Sequence, residues 1–246
     1  MYTAFLFPGQ GSQKVSMGYD LYQRTDIGKK YFNLANDIME YDIKDIIFNG
    51  PDEKLKETTY TQPAIYIVSV IIGKILLEKG YEPKMVAGHS LGEYSACTIS
   101  GSFSFENGLS LVKLRAENMQ IAGKTNPGTM AAIIGMSFED IQHICTNASK
   151  EDSVVVPANH NSPNQIVISG NISAVQDAME HAKESGARLV KELNVSGAFH
   201  SPLMKSAKVA LSEALDDINI NNAAIPVYLS LIHISEPTRR YAISYD

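Results

Sequence analysis

Cysteine is scarce in this chain: 246 residues contain two, Cys97 and Cys145. Neither stands at a metal-ligand spacing from a histidine, so no disulfide framework and no zinc pattern is expected. Both fall in helical patterns and read as reduced core thiols. An excess of basic charge is also lacking. Lys and Arg number 21 against 27 Asp and Glu, a net charge of −6, which argues against general nucleic-acid binding and against a broad basic face for an acidic membrane. No apolar run approaches the length of a membrane span, the longest, Ala64 to Leu77, being interrupted by Gly73 and Lys74. Met1-Tyr2-Thr3 carries no charged leader before the first apolar segment, so no signal peptide is expected. Internal repeats and low-complexity tracts are missing. These absences point to a cytoplasmic protein that engages neither nucleic acid nor membrane. With 44% hydrophobic residues, the chain can still bury the core of one large domain or two smaller ones.

The most informative segment present is Gly88-His89-Ser90-Leu91-Gly92. A short apolar run, Met85 to Ala87, precedes it, and Leu91 to Ser100 follows with apolar residues at helical spacing and no proline. A Gly-x-Ser-x-Gly between strand and helix is a nucleophile elbow. Small residues two positions either side of the serine avoid clashes in so tight a turn. The serine hydroxyl is then held at the positive end of the following helix.

Strand-like and helical segments alternate on both sides of this elbow. Thr3 to Phe7 reads as a strand, Asp20 to Ile38 as mostly helix, and Thr61 to Gly80 as a long helix, apolar nearly all round and therefore central. A further helix spans Ser104 to Ala122. This alternation favours an α/β sheet with parallel strands. After Thr125-Asn126-Pro127-Gly128 the pattern changes. Thr129 to Met136 reads as a strand and Phe138 to Ser149 as a helix opened by a Ser137/Asp140 capping box. Strands Ser153 to Ala158 and Gln165 to Ser169 flank a polar loop, 159–164. A helix from Ala174 to Ser185, capped at Ser173, and a strand from Arg188 to Asn194 complete the run. The order β-α-β-β-α-β is ferredoxin-like, so residues 125–194 read as a small domain inserted into a larger one.

Ser90 needs a base. Of six histidines, His89 points away on the turn, His143 and His181 sit on small-domain helices, His160 lies in a polar loop and His233 in the C-terminal stretch. His200, inside the constrained Val195-Ser196-Gly197-Ala198-Phe199-His200-Ser201-Pro202 turn at the return to the large domain, is the strongest candidate. The loop Phe7-Pro8-Gly9-Gln10-Gly11-Ser12-Gln13 lacks the third glycine of a dinucleotide fingerprint, Lys14 standing there. It is either a plain tight turn or the donor of an oxyanion-hole amide. Arg115, flanked by apolar residues at i−4, i−1 and i+1, either snorkels to the surface or turns inward toward a carboxylate that matches its fork.

Taken in order, the Phe7–Gln13 loop, Gly88-His89-Ser90-Leu91-Gly92-Glu93, Arg115, Asn159-x-Asn161-Ser162-Pro163-x-Gln165 and Gly197-Ala198-Phe199-His200-Ser201-Pro202 resemble the malonyl-CoA:acyl carrier protein transacylases, from Met1 to about Tyr228. The resemblance implies an α/β-hydrolase-like large domain with a central, mostly parallel sheet over 1–124 plus 195–228, and the ferredoxin-like insert over 125–194. It implies Ser90 as nucleophile, His200 as general base in a dyad, and the Gln10 and Leu91 amides as the oxyanion hole. Arg115 would clamp the malonyl carboxylate, Phe199 would narrow the pocket against a 2-methyl branch, and Asn159 would contact substrate. The implied reaction is ping-pong malonyl transfer from malonyl-CoA to the phosphopantetheine thiol of acyl carrier protein in fatty acid biosynthesis. No metal or cofactor is called for, and a monomer is expected. A free-standing acyltransferase of a polyketide synthase shares these motifs. A serine esterase or thioesterase shares the elbow and histidine but has no use for Arg115 or the Gln10 loop. The retention of Ser90, His200 and Arg115 together speaks against a non-catalytic carrier-binding module.

The family continues beyond Tyr228 with a further helix, strands and a glutamine whose carbonyl orients the histidine. Here Leu229-Ser230-Leu231-Ile232-His233-Ile234-Ser235-Glu236-Pro237-Thr238-Arg239 stands instead, and resembles the translation of a sequencing-library adapter. Residues 229–246 are therefore expected to be a non-native tail. The C-terminal part of the large domain is then expected to be missing, and the chain as written to be unstable or nearly inactive.

Overall fold

In the computed structural model, residues 3–229 are described. Strand β1 (Ala4–Phe7) leads into α1 (Tyr19–Arg24), α2 (Asp26–Met39), α3 (Ile43–Asn49), α4 (Asp52–Leu55) and α5 (Thr58–Glu78). Then come β2 (Met85–Gly88), α6 (Gly92–Ile99) and α7 (Phe105–Thr125). The second half runs β3 (Gly128–Ile134), α8 (Phe138–Ala148), β4 (Val155–Ser162), β5 (Gln165–Asn171), α9 (Ile172–Glu184), β6 (Leu189–Glu192), α10 (Lys205–Asp216) and β7 (Val227–Leu229). The chain packs into two compact units whose boundaries fall inside α7 and α10. One comprises 3–117 and 211–229, the other Asn118–Ala210. Of the expected foreign tail, residues 230–246 lie outside the described residues, and Leu229 ends β7.

The first unit is built on a parallel sheet of order β1-β2-β7. Its core forms around α5, where Tyr66, Ile67, Val70 and Ile71 are fully buried. Burying each such side chain stabilises by roughly 1.5–3 kcal/mol relative to exposure. At 21 residues α5 is long and apolar enough to cross a membrane, contrary to the interrupted run read from sequence, but 67% of its most apolar window is buried in the protein. It behaves as a core helix. The expected Asp20–Ile38 helix is two helices. Thr25 is extended at φ −132°, and its Oγ1 accepts the Gly28 amide at 2.9 Å, capping α2.

The second unit carries an antiparallel sheet of order β4-β5-β3-β6, the strand order of a ferredoxin-like fold. Alternation decides its two faces. Ala131, Ile133, Ile166 and Ile168 pack beneath α8 and α9, whereas Met130, Ala132 and Val167 face a second cluster with Phe199 and Met204. Ser137 caps α8, its Oγ accepting the Asp140 amide at 3.1 Å. Two readings need correction. Residues Asn159 to Ser162 continue β4, with bulges between Pro157 and Asn159 and between His160 and Ser162, so Asn159 stands on a strand. Helix α9 starts at Ile172 with Asn171, not Ser173, at its N-cap. The Asn171 Oδ1 accepts from the Val154 amide rather than from the helix.

Cys97 on α6 and Cys145 on α8 are buried free thiols, and burial pushes both up to about 12 from 9.0, with Glu93 adding to the effect at Cys97. The unfolded chain would ionise both near 9 while the native state keeps them protonated. Their contribution to stability is therefore intact below pH 9 and is lost as pH rises toward 12. Iodoacetamide at pH 8 should leave the native protein unmodified and label both thiols after unfolding in urea. Rapid native-state labelling would contradict the burial.

Candidate active site

Between the end of β2 at Gly88 and the start of α6 at Gly92, three residues reverse the chain. Ser90 does so at φ 51°, a left-handed conformation that costs a non-glycine residue about 1–2 kcal/mol. The flanking glycines permit the turn. A Cβ on Gly88 would overlap the Gly92 and Glu93 main chain, and a Cβ on Gly92 would overlap the Phe7 carbonyl. Main-chain bonds from Gly92 to His89 O at 3.0 Å, from Glu93 to Ser90 O at 3.1 Å and from Tyr94 to Leu91 O at 3.1 Å wind directly into α6. The strand–turn–helix expected around Ser90 is the one that forms.

The loop after β1 meets this turn. The His89 amide donates to Phe7 O at 3.0 Å, extending the parallel β1–β2 pairing by one bond beyond Phe7 and Gly88. Within the loop, Ser12 Oγ donates to Gly9 O at 2.8 Å, the Gly11 amide donates to Gln13 Oε1 at 2.8 Å, and Gln10 Nε2 reaches Thr58 Oγ1 at 3.4 Å. Among the described residues neither the Gln10 nor the Leu91 amide donates to a protein acceptor. Two main-chain donors are thus left unused, one adjoining the serine at Leu91 and one at Gln10 in the loop that meets its turn.

Arg115 turns inward from α7 and is buried at 9% exposure. Its Nη2 donates to Ser90 Oγ at 3.0 Å, its Nη1 donates to Gln62 Oε1 at 2.5 Å, and its Cζ lies 5.7 Å from the centre of the Tyr94 ring. Among the described residues it pairs with no carboxylate. A buried guanidinium held by neutral groups has the chemistry to accept an anionic partner. Gln62 escaped the sequence reading. It was legible only as a polar residue before Pro63 in an otherwise apolar helix, and a buried amide of that kind needs a partner.

His200, Phe199 and Asn159 belong to the second unit. His200 takes φ 58° in the turn before the 3-10 segment Pro202–Met204. Ser201 fixes that turn, its Oγ donating to Ala198 O at 2.7 Å and accepting the Leu203 amide at 3.3 Å. Phe199 is buried among Met119, Met130 and Met204. The buried Asn159 Nδ2 has no hydrogen-bond partner among the described residues. No group of three or more His, Cys, Asp or Glu side chains able to hold a metal occurs among them either.

A family model described as an acyl transferase domain matches residues 4–245. The malonyl CoA-acyl carrier protein transacylase of Bacillus subtilis (strain 168) is 43% identical over 224 residues, which are 91% of this chain and 71% of that protein. Among solved structures, an acyl carrier protein S-malonyltransferase from Vibrio cholerae superposes with a TM-score of 0.90 at 39% identity, over 97% of this chain and 78% of the other. A malonyl-transacylase solved in complex with a type II PKS acyl-carrier protein superposes at 0.87 with 38% identity, over 92% of this chain and 74% of the other.

The contact of Gly92 with the Phe7 carbonyl yields a direct test. Gly92→Ala should force the β1 loop away from the elbow, and labelling of Ser90 by a fluorophosphonate should fall at least tenfold while far-UV circular dichroism is retained. Labelling at the wild-type rate would show that the close approach is dispensable.

Proposed function

Because the chain belongs to the malonyl-CoA–acyl carrier protein transacylases, an acyl transferase domain family, we propose that it performs malonyl transfer by a ping-pong route through Ser90. The observation that carries this reading is Arg115, a buried cation with no carboxylate partner among the described residues, whose Nη2 lies 3.0 Å from Ser90 Oγ. An acyl group carrying a free carboxylate supplies the missing charge and brings its thioester carbonyl to the serine. Gln62 holds the other guanidinium arm, so the fork is fixed before substrate arrives.

In the proposed sequence Ser90 Oγ attacks the malonyl-CoA thioester while His200 takes its proton. The Gln10 and Leu91 amides receive the charge that develops on the carbonyl oxygen. The C–S bond breaks, and CoA leaves with the proton from His200. The phosphopantetheine thiol of acyl carrier protein then gives its proton to His200 and takes the malonyl group, regenerating Ser90. No bond in this cycle requires a metal or redox cofactor. Asn159 and Phe199 are assigned to substrate contact and to exclusion of a 2-methyl branch on the family resemblance alone. Two further expectations complete the reading: a monomer acting in the cytoplasm, and a large domain over 1–124 plus 195–228 carrying the insert 125–194. A polyketide carrier is the second reading, favoured by the relative bound to a type II PKS acyl-carrier protein. Transfer rates to the two classes of carrier separate them.

Mass spectrometry should find a malonyl adduct on Ser90 after incubation with malonyl-CoA and none in Ser90→Ala. Removing a charge-assisted interaction of about 1.5–3 kcal/mol by Arg115→Ala should lower kcat/KM for malonyl-CoA about 10–100-fold. Acetyl-CoA, without a carboxylate, should change less than threefold. Equal losses for both donors would remove the clamp from Arg115.

A further inference from the structure

The two amides assigned to the oxyanion hole come from segments distant in sequence, Leu91 after β2 and Gln10 after β1. They act together only if their spacing is held, since a donor misplaced by part of an ångström loses much of its effect. Sheet pairing ends at Phe7 and Gly88, and the His89 amide adds one bond to Phe7 O. Beyond that bond the loop is held at Gly9. A methyl group on Gly9 would stand 2.7 Å from the His89 carbonyl oxygen and 2.9 Å from its Nδ1, so the main chain and the imidazole of His89 both press on this residue. Gly9 is buried and His89 exposed, with the Nδ1 edge of the ring next to Gly9. Among the described residues the ties downstream of Gly9 leave the Gln10 main chain unbonded, and the reach of Gln10 Nε2 to Thr58 Oγ1 at 3.4 Å is long for a hydrogen bond.

We propose that the His89 imidazole is a positioning residue for the oxyanion hole, acting through Gly9 to set the Gln10 amide against the Leu91 amide. This rests on the acyl-transfer reading of Ser90. One residue thereby serves both halves of the hole. Its ring seats the residue before Gln10, and its main chain leads directly through Ser90 to Leu91. His89 touches no reacting atom in this role, so its influence falls on the rate of carbon–oxygen bond formation and not on substrate affinity.

The test uses the full chain with His89→Ala, Gly9→Ala and His89→Asn, the last retaining heavy atoms out to the δ position of the ring. Losing an oxyanion donor outright costs on the order of 10²–10³ in turnover. His89→Ala and Gly9→Ala should each lower kcat about tenfold or more at unchanged KM for malonyl-CoA, and His89→Asn should recover most of the loss. The same variants are assayed with p-nitrophenyl acetate, a neutral ester that also passes through an oxyanion on acylating Ser90. A parallel loss in its acylation burst supports the positioning role. A kcat within twofold of wild type, a loss confined to KM or to malonyl-CoA, or failure of His89→Asn to rescue would overturn it. If wild-type protein is acylated by the ester and not by malonyl-CoA, the malonyl reading fails instead, and the burst with the ester alone decides the role of His89.

Discussion

At the end of β1 the Phe7 carbonyl oxygen meets two constraints at once: it accepts the His89 amide at 3.0 Å, and it lies so close to Gly92 that no Cβ fits between them. The elbow depends on this contact. Parallel pairing over four residues brings β1 and β2 side by side, and at the C-terminal edge of the pair the chain leaves both strands in loops. Ligands in open α/β sheets gather at such edges, because the loops there can present side chains and free amides without breaking the ladder. Here the edge provides Ser90 and the unused amides of Gln10 and Leu91. A larger residue at position 92 would separate the two loops, and with them the two amides to which the proposed mechanism assigns the oxyanion.

Arg115 sets the second constraint, and it is electrostatic. Placing a guanidinium in a buried position costs several kcal/mol unless its charge is answered. In this unit the answer within the described residues comes from neutral oxygens, Gln62 Oε1 and Ser90 Oγ, and from the Tyr94 ring face. Neutral acceptors satisfy the N–H groups while leaving the charge uncompensated. In the proposed mechanism a substrate carboxylate is therefore favoured over a methyl or an alkyl chain. Because the same guanidinium touches the serine oxygen, binding and reaction are joined at one group. In the proposed mechanism this coupling favours discrimination between malonyl and acetyl donors over a simple gain in affinity.

Much of this was legible in the sequence where short-range sterics decide the outcome. Gly88 and Gly92 around Ser90 admit one kind of turn, and the strand and helix on either side agree with it. The alternation of Ala131, Ile133, Ile166 and Ile168 specifies one sheet face wherever the chain later folds. Legibility failed where the deciding partner is remote. Asn159 to Ser162 are polar and read as a loop, yet they continue β4, the outer strand of its sheet, where His160, Asn161 and Ser162 are exposed without penalty while Asn159 is buried. Thr25 is a local exception: it breaks a continuous helical pattern because its own hydroxyl caps the next helix at Gly28, an alternative that periodicity does not register. Gln62 stands 53 positions from Arg115, and nothing local marks it as an acceptor. The direction of Arg115 itself was open in the sequence and is settled by burial.

Backbone strain links the two proposed catalytic residues without reference to either unit's placement. Among the described residues, four non-glycine positions take positive φ: Ser16, Glu40, Ser90 and His200. Glu40 is the left-handed cap that closes α2, a routine use of that conformation. Ser16 turns the chain before α1, its amide donating to Ile47 O at 2.8 Å and its Oγ to Phe48 O at 3.1 Å. At Ser90 and His200 a glycine would adopt the same conformation at lower cost. Each is held by a local framework of its own, Ser90 by the glycine contacts and the first turn of α6, His200 by the Ser201 hydroxyl and the 3-10 turn that follows. Strain of order 1–3 kcal/mol persists where the surrounding structure over-determines it, and such positions cluster at reactive sites. Both turns hold strain at a side chain to which the proposed mechanism gives a role, Ser90 as nucleophile and His200 as base.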